Sequence, residues 1–244
     1  MLEKLLYTRQ QPCPKKIKDC LFQHKIEVID IPLIQTVGLP VTYDKNQWQK
    51  IDWVFFTSVN AVKFTDLTCL PENCKIASIG DKTTQALVSQ GLTVDFQPSA
   101  AYSEGMVEEW LAGHKEKEQI LLLNSRLSRR VIKDKLEQEG HKVYQIPIYD
   151  TIFPKKSEEL LDDILLDQQL TYLIIASPSA WHHFYQRVQL LGCSLNQLKI
   201  LSIGPISTKA IQQDGFSVFY QADIYDMPHL FKGFIKEIES NGNI

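Results

Sequence analysis

Residues 75–96 read KIASIGDKTTQALVSQGLTVDF, and residues 199–220 read KILSIGPISTKAIQQDGFSVFY. Nine of the 22 aligned positions are identical, among them Ser78/Ser202, Gly80/Gly204, Thr84/Thr208, Ala86/Ala210 and Gly91/Gly215. Each copy runs from an apolar strand through a glycine corner into an amphipathic stretch, then through a second glycine into another strand. That is one βαβ unit. The offset, 199 − 75 = 124, is about half of the 244 residues. Duplication at that distance predicts two similar lobes with a cleft between them.

The repeat extends outward. KLLYTR (4–9) matches LLLNSR (121–126), EVIDIPLIQT (27–36) matches KVYQIPIYDT (142–151), and DWVFFTSVNAV (52–62) matches TYLIIASPSAW (171–181). Four matches in the same order, with small drifts in offset, indicate duplication with loop insertions. Further strand-like runs, at 93–96 and 217–220 for example, alternate with helix-like stretches such as 83–88 and 131–136. This alternation predicts parallel sheets with helices on both faces: two similar flavodoxin-like α/β lobes. The segments around Pro32 and Pro147 are apolar, extended and proline-interrupted, which suits edge or linker strands. They place lobe one at 1–33 and 152–244, the inserted lobe two at 38–147, and a two-strand linker at 34–37 and 148–151.

Bulk properties narrow the function. The apolar fraction is 44%, the charged fraction 23% and the net charge −3, so no broad positive field attracts nucleic acid or anionic lipid. The N-terminus MLEKLLYTRQQ has charges where a signal peptide needs an apolar core, and no apolar run reaches a membrane span. Five cysteines without a CxxC pair fit reduced thiols. A cytoplasmic monomer without metal or cofactor is the expectation. Neither GxGxxG nor GxxxxGK[ST] occurs, so nucleotide cofactors are not indicated.

Ligands of open α/β sheets bind at the carboxyl ends of the strands. Four such junctions here carry hydroxyls: Thr57-Ser58-Val59-Asn60, Gly80-Asp81-Lys82-Thr83-Thr84, Ser177-Pro178-Ser179 and Gly204-Pro205-Ile206-Ser207-Thr208. The first turn of a helix has unpaired N–H groups and the positive end of the dipole, which favour carboxylate or phosphate oxygens. Any one of these serines or threonines is equally an ordinary N-cap. Arg126, Arg129 and Arg130 are either a solvated basic face or a set of acid-binding groups. His182-His183 reads as an exposed helix pair, and Asp223 and Asp226 as caps of the last helix. Tyr149 stands out, because the aligned residue in the other copy is Ile34. It is either an interface aromatic or a phenol presented to the cleft.

These landmarks together resemble the uroporphyrinogen-III synthase family over nearly the whole chain. They are Thr8-Arg9, FTSVNAV at 56–62, SIGDKTTQAL at 78–87, VYQIPIYDT at 143–151, ASPSA at 176–180 and IGPISTKAI at 203–211. The resemblance implies a two-lobed enzyme that takes the linear tetrapyrrole hydroxymethylbilane, closes the ring, inverts ring D and releases water, with no cofactor or metal. It implies the general-acid role for Tyr149. It also implies substrate contacts at Arg9, Thr57, Ser58, Lys82, Thr83, Arg129, Ser177, Ser179 and Ser207. Ile206-Ser207 replaces the family's common Thr-Thr, and Asn124 stands where an arginine is frequent. The partner it suggests is hydroxymethylbilane synthase, handing over the substrate transiently. The rival expectations are a cytosolic two-lobed binder of a tetrapyrrole or other small molecule, and a flavodoxin-like regulatory module. The latter would require acidic strand ends, where this chain has hydroxyls.

Overall fold

The computed structural model describes residues 2–41, 48–71 and 73–241. The chain divides into two compact units, residues 1–35 with 152–244 and residues 36–151.

The first unit is built on a five-stranded sheet of β1 (Glu3–Tyr7), β2 (Ile26–Asp30), β8 (Leu170–Ile175), β9 (Lys199–Ser202) and β10 (Tyr220–Gln221), in the order β10-β9-β8-β1-β2. Its neighbours pair in parallel. Read from β2, this is the flavodoxin-like order 2-1-3-4-5. Alternate residues feed opposite faces, as the pleat requires. Leu5, Tyr7, Tyr172 and Ile174 pack with Leu21 of α1 (Lys15–Gln23) and with Phe231 and Phe234 of α9 (Met227–Asn241). Leu6, Leu173 and Ile175 pack on the other side. Their partners are Leu161 of α6 (Lys155–Asp167), Trp181 and Phe184 of α7 (Pro178–Leu191), and Ile211 of α8 (Pro205–Gln213).

The second unit holds β3 (Gln35–Gly38), β4 (Trp53–Phe56), β5 (Lys75–Ser78), β6 (Gln119–Ser125) and β7 (Lys142–Ile152), in the order β3-β7-β6-β4-β5. The β4–β5, β4–β6 and β6–β7 pairs are parallel. All four residues of β4 are buried, as expected for a parallel strand covered on both faces. Val54, Phe56, Leu121 and Leu123 face Ala61 and Val62 of α2 (Val59–Phe64) and Leu87 of α3 (Asp81–Ser89). Trp53, Phe55, Ile120 and Leu122 face Trp110 of α4 (Ser103–Gly113) and Ile132 and Leu136 of α5 (Val131–Gln138).

The duplication reappears in atomic detail. Ser78, Thr84 and Gln97 join side chain to side chain at the top of β5, and Ser202, Thr208 and Gln221 do the same at the top of β9. Helices α3 and α8 both end in a Schellman motif. Gly91 (φ 82°) and Gly215 (φ 85°) supply the left-handed residue, while Leu92 and Phe216 donate to the carbonyls of Leu87 and Ile211. The matched halves are exchanged between units. The β1–α1–β2 segment joins the sheet of β8, β9 and β10, and its copy β6–α5–β7 joins the sheet of β4 and β5.

Two sequence expectations change. Residues 93–96 make only an isolated bridge, Ala77 to Phe96, because the Asp95 carboxylate takes the Ile76 N–H (2.8 Å) that a ladder partner would have used. Pro147 lies inside β7, between β3 and β6, and not on an edge. It is tolerated there because it adjoins a bulge, one of the few places in a sheet that accommodates proline.

His141, only 5% exposed, accepts a hydrogen bond at Nδ1 from the Glu118 N–H (3.2 Å) and meets the Trp110 ring edge-on. Burial, then the nearby Lys117 ammonium, lowers its pKa below the ordinary histidine value. The unfolded chain therefore takes up a proton near pH 6.5 that the folded chain refuses until lower pH. This stability is fully present above about pH 6.5 and declines as pH falls through the interval down to the depressed folded value. Calorimetric melting between pH 7.5 and 5 should show that loss, and His141→Gln, which keeps an acceptor for the amide, should flatten it. An unchanged slope in the variant would remove His141 as its source.

Candidate active site

In a parallel sheet all carboxyl ends share one edge, and the sequence-derived site residues lie there in both units. Thr57, Ser58, Lys82, Thr83, Arg129 and Tyr149 belong to the second unit, and Arg9, Ser177, Ser179 and Ser207 to the first.

The most definite constellation surrounds Tyr149. Along β7, Tyr144 and Ile146 pair with Leu121 and Leu123, and strict alternation would next send Ile148 to that face and Tyr149 to the opposite one. A bulge intervenes, so Asn124 pairs with Pro147 and Ser125 with Tyr149. Ile148 and Tyr149 consequently both face the α2–α3 side, where both join its buried cluster. The Tyr149 carbonyl accepts the Arg126 N–H at 2.9 Å, which fixes the backbone there. Its ring, in a residue 8% exposed, stacks on Phe64 with centroids 6.0 Å apart and planes 25° from parallel. The phenol crosses over β6 to place Oη 3.1 Å from Ser58 Oγ.

Ser58 is also the N-cap of α2, where Oγ accepts the Ala61 N–H at 3.0 Å. Its copy Ser177 caps α7 in the same way, accepting from Ala180 at 3.2 Å. Thr57 is half-buried beside Ser58, and Ser179 half-buried in the first turn of α7. Thr83 and Ser207 hold equivalent third positions of α3 and α8 and are both buried, whereas Lys82 is exposed. Arg9 lies beside the Tyr7 phenol. Burial raises the pKa of that phenol, and the guanidinium opposes the shift through charge and hydrogen bonding. Arg129, its side chain 71% exposed, pairs with Glu104 at 3.1 Å.

Sequence reasoning missed three features. The Phe64 stack joins residues far apart in the chain. The bulge had one available signal, Pro147, which reads equally as an edge or linker strand. Asn124, 2% exposed at the carboxyl end of β6, keeps Oδ1 buried with no hydrogen-bond partner among the described residues. Its alignment with Tyr7 in the KLLYTR/LLLNSR match was the available signal. A buried acceptor without a partner costs about 1–3 kcal/mol.

Other groups resolve structurally. Asp226 accepts the His229 N–H in the first turn of α9, and His183 stacks on Phe153. Cys13, Cys20, Cys74 and Cys193 are free thiols, the Cys69 thiol donates to the Asp66 carboxylate, and among the described residues no cluster of three or more His, Cys, Asp or Glu is placed to hold a metal. No helix of the described residues is long and apolar enough to cross a membrane.

The fold and strand ends define a class: a duplicated flavodoxin-like α/β protein with hydroxyl-bearing helix starts and a buried phenol anchored to one of them. The family profile described as uroporphyrinogen-III synthase HemD matches residues 15–232. The chain belongs to the uroporphyrinogen-III synthase family, the cyclising lyases of tetrapyrrole biosynthesis. Among curated relatives, the porphyrin biosynthesis protein HemD of Ruminiclostridium josui is 22% identical over 86% of this chain, which spans 44% of that longer protein. Uroporphyrinogen-III synthase of Chlorobaculum parvum is 22% identical over 78% of this chain and 81% of its own length. Among solved structures, a mutant uroporphyrinogen III synthase from the extremely thermophilic bacterium Thermus thermophilus superposes with a TM-score of 0.67. It is 16% identical, covering 98% of this chain and 99% of that one, and so speaks for the fold.

Proposed function

We propose that this chain closes hydroxymethylbilane to uroporphyrinogen III, inverting ring D and releasing water, with Tyr149 as the general acid. The observation that carries the reading is the phenol of Tyr149, re-aimed by a bulge to the carboxyl end of the sheet and joined there to Ser58, in a chain of this family.

In this reading Tyr149 gives its proton to the hydroxymethyl oxygen. The C–O bond breaks, its electron pair leaves with the oxygen as water, and an azafulvene cation remains. The substituted carbon of ring D attacks that cation to form a spiro intermediate, which rearranges to the inverted macrocycle. The C–H proton released as the last pyrrole regains aromaticity restores the phenol, so the enzyme ends unchanged. Most of the task is positional, because the linear substrate also cyclises unaided to the uninverted isomer.

The substrate carries eight carboxylates. First-turn amides of α3, α7 and α8, with Thr83, Ser177, Ser179 and Ser207, suit them, and Thr57, Arg9 and Lys82 extend the set, whereas the Ser58 hydroxyl is already engaged with Tyr149 and the Ala61 N–H. Arg129 joins by exchanging Glu104 for a substrate carboxylate; an exposed ion pair is worth at most about 1 kcal/mol, so the exchange costs little. A cytoplasmic monomer that receives its reactive substrate from hydroxymethylbilane synthase by transient hand-over completes the reading.

The test is direct. Purified protein is given fresh hydroxymethylbilane, the products are oxidised, and the type I and type III uroporphyrins are separated chromatographically. Type III should predominate over a protein-free control. Type I alone from folded protein would reject the synthase reading in favour of a non-catalytic tetrapyrrole binder.

A further inference from the structure

We propose that Ser58 is a positioning residue for the reaction: it orients the Tyr149 phenol and, keeping its own proton, donates a hydrogen bond to the phenolate left when Tyr149 gives up a proton. The inference rests on the general-acid reading of Tyr149.

A serine hydroxyl has one proton and two acceptor sites. The Ala61 N–H fills one acceptor site of Ser58 at 3.0 Å, which leaves the proton and the second site to face Tyr149 Oη at 3.1 Å. Before proton transfer the contact fixes the phenol oxygen in place. After transfer Oη is an anion in a largely buried setting and needs a donor. Ser58 is in reach, and the Ala61 amide already polarises the Ser58 oxygen in the required sense. The chain Ala61 N–H to Ser58 O–H to Tyr149 O⁻ then runs in one direction, and each bond strengthens the next. The Phe64 stack and the bulge hold the remaining coordinates of the ring.

The duplication supplies an internal comparison. Ser177 caps α7 as Ser58 caps α2, but the residue aligned with Tyr149 is Ile34. Capping is therefore the shared structural role, and the phenol contact is an addition found in the second unit.

The test is a double-mutant cycle on the full chain, following type III formation. Ser58→Ala should lower kcat about tenfold, the effect of losing one hydrogen bond to a charged group, with KM within about twofold. Ser58→Thr, which keeps both cap and hydroxyl, should restore kcat. In a Tyr149→Phe background, Ser58→Ala should cost nothing further, because the group it serves is gone. A purely structural cap would instead cost the same in both backgrounds, and a direct substrate contact would raise KM. Either outcome, with an active parent protein, overturns the inference while leaving the synthase reading intact. A parent protein that makes no type III isomer overturns both.

Discussion

Replacing Tyr149 by phenylalanine is expected to lower kcat for type III formation by about ten- to a hundredfold, at and just below the low end of what a positioned general acid contributes. The modest figure follows from the substrate, whose hydroxyl also departs in water without help. The variant should keep its fold. Phenylalanine retains the stack on Phe64 and the buried volume, and only the hydrogen bond to Ser58 is lost, about 0.5–1.5 kcal/mol. Slower turnover also lets the unaided route compete, so at fixed protein concentration the type I fraction should rise. Steady-state kinetics with isomer analysis reads both quantities. Unchanged kcat and isomer ratio would take Tyr149 out of the mechanism and leave it as a packing aromatic.

How far the sequence reaches can be seen at this same residue. The alignment that sets Tyr149 against Ile34 marks it as the odd member of a duplicated strand, because a repeat exposes departures from itself. The paired glycine corners are legible for a related reason. Gly91 and Gly215 occupy left-handed positions that other residues enter only with strain, so both copies retain them. The networks in which buried Ser78 and Ser202 meet half-buried Thr84 and Thr208 likewise keep the hydroxyls that satisfy one another. A strained backbone and a dry polar group both restrict residue type, and that restriction is what sequence comparison detects. Register restricts nothing so visible. The one-residue slip between Asn124 and Ser125 that turns Tyr149 toward Ser58 adjoins Pro147, but a proline there reads in sequence equally as an edge or linker strand and does not fix the register. The Phe64 stack reads in sequence as one more apolar helix position. Asn124 is only partly legible: its alignment with Tyr7 and the absence of an expected arginine mark the position, but neither tells that its oxygen is left without a partner among the described residues.

Trp110→Ala should be the most destabilising single change in the second unit, by about 3–5 kcal/mol. Trp110 is fully buried. It meets Trp53 and Phe55 edge-on at centroid separations of 5.6 and 5.4 Å and stacks on His114 at 4.4 Å. It thereby fastens α4 to the β4–β6 side of the sheet, and removing it leaves a cavity among rings that have few ways to collapse into it. The indole Nε1 has no hydrogen-bond partner among the described residues, so the loss should be one of packing alone. Trp110→Phe tests that directly. It keeps an aromatic surface, discards the unsatisfied N–H, and should cost under about 2 kcal/mol. Urea unfolding followed by tryptophan fluorescence measures both variants, with Trp53 reporting on the second unit and Trp181 on the first. Equal losses for alanine and phenylalanine would mean that shape, and not volume, sets the stability of this core. Helix α4 also carries Glu104, the partner of Arg129, so the same variants separate scaffold from site. Where Trp110→Ala remains folded at low temperature, kcat should stay near that of the parent chain, because the Tyr149–Ser58 pair lies on the opposite face of the sheet.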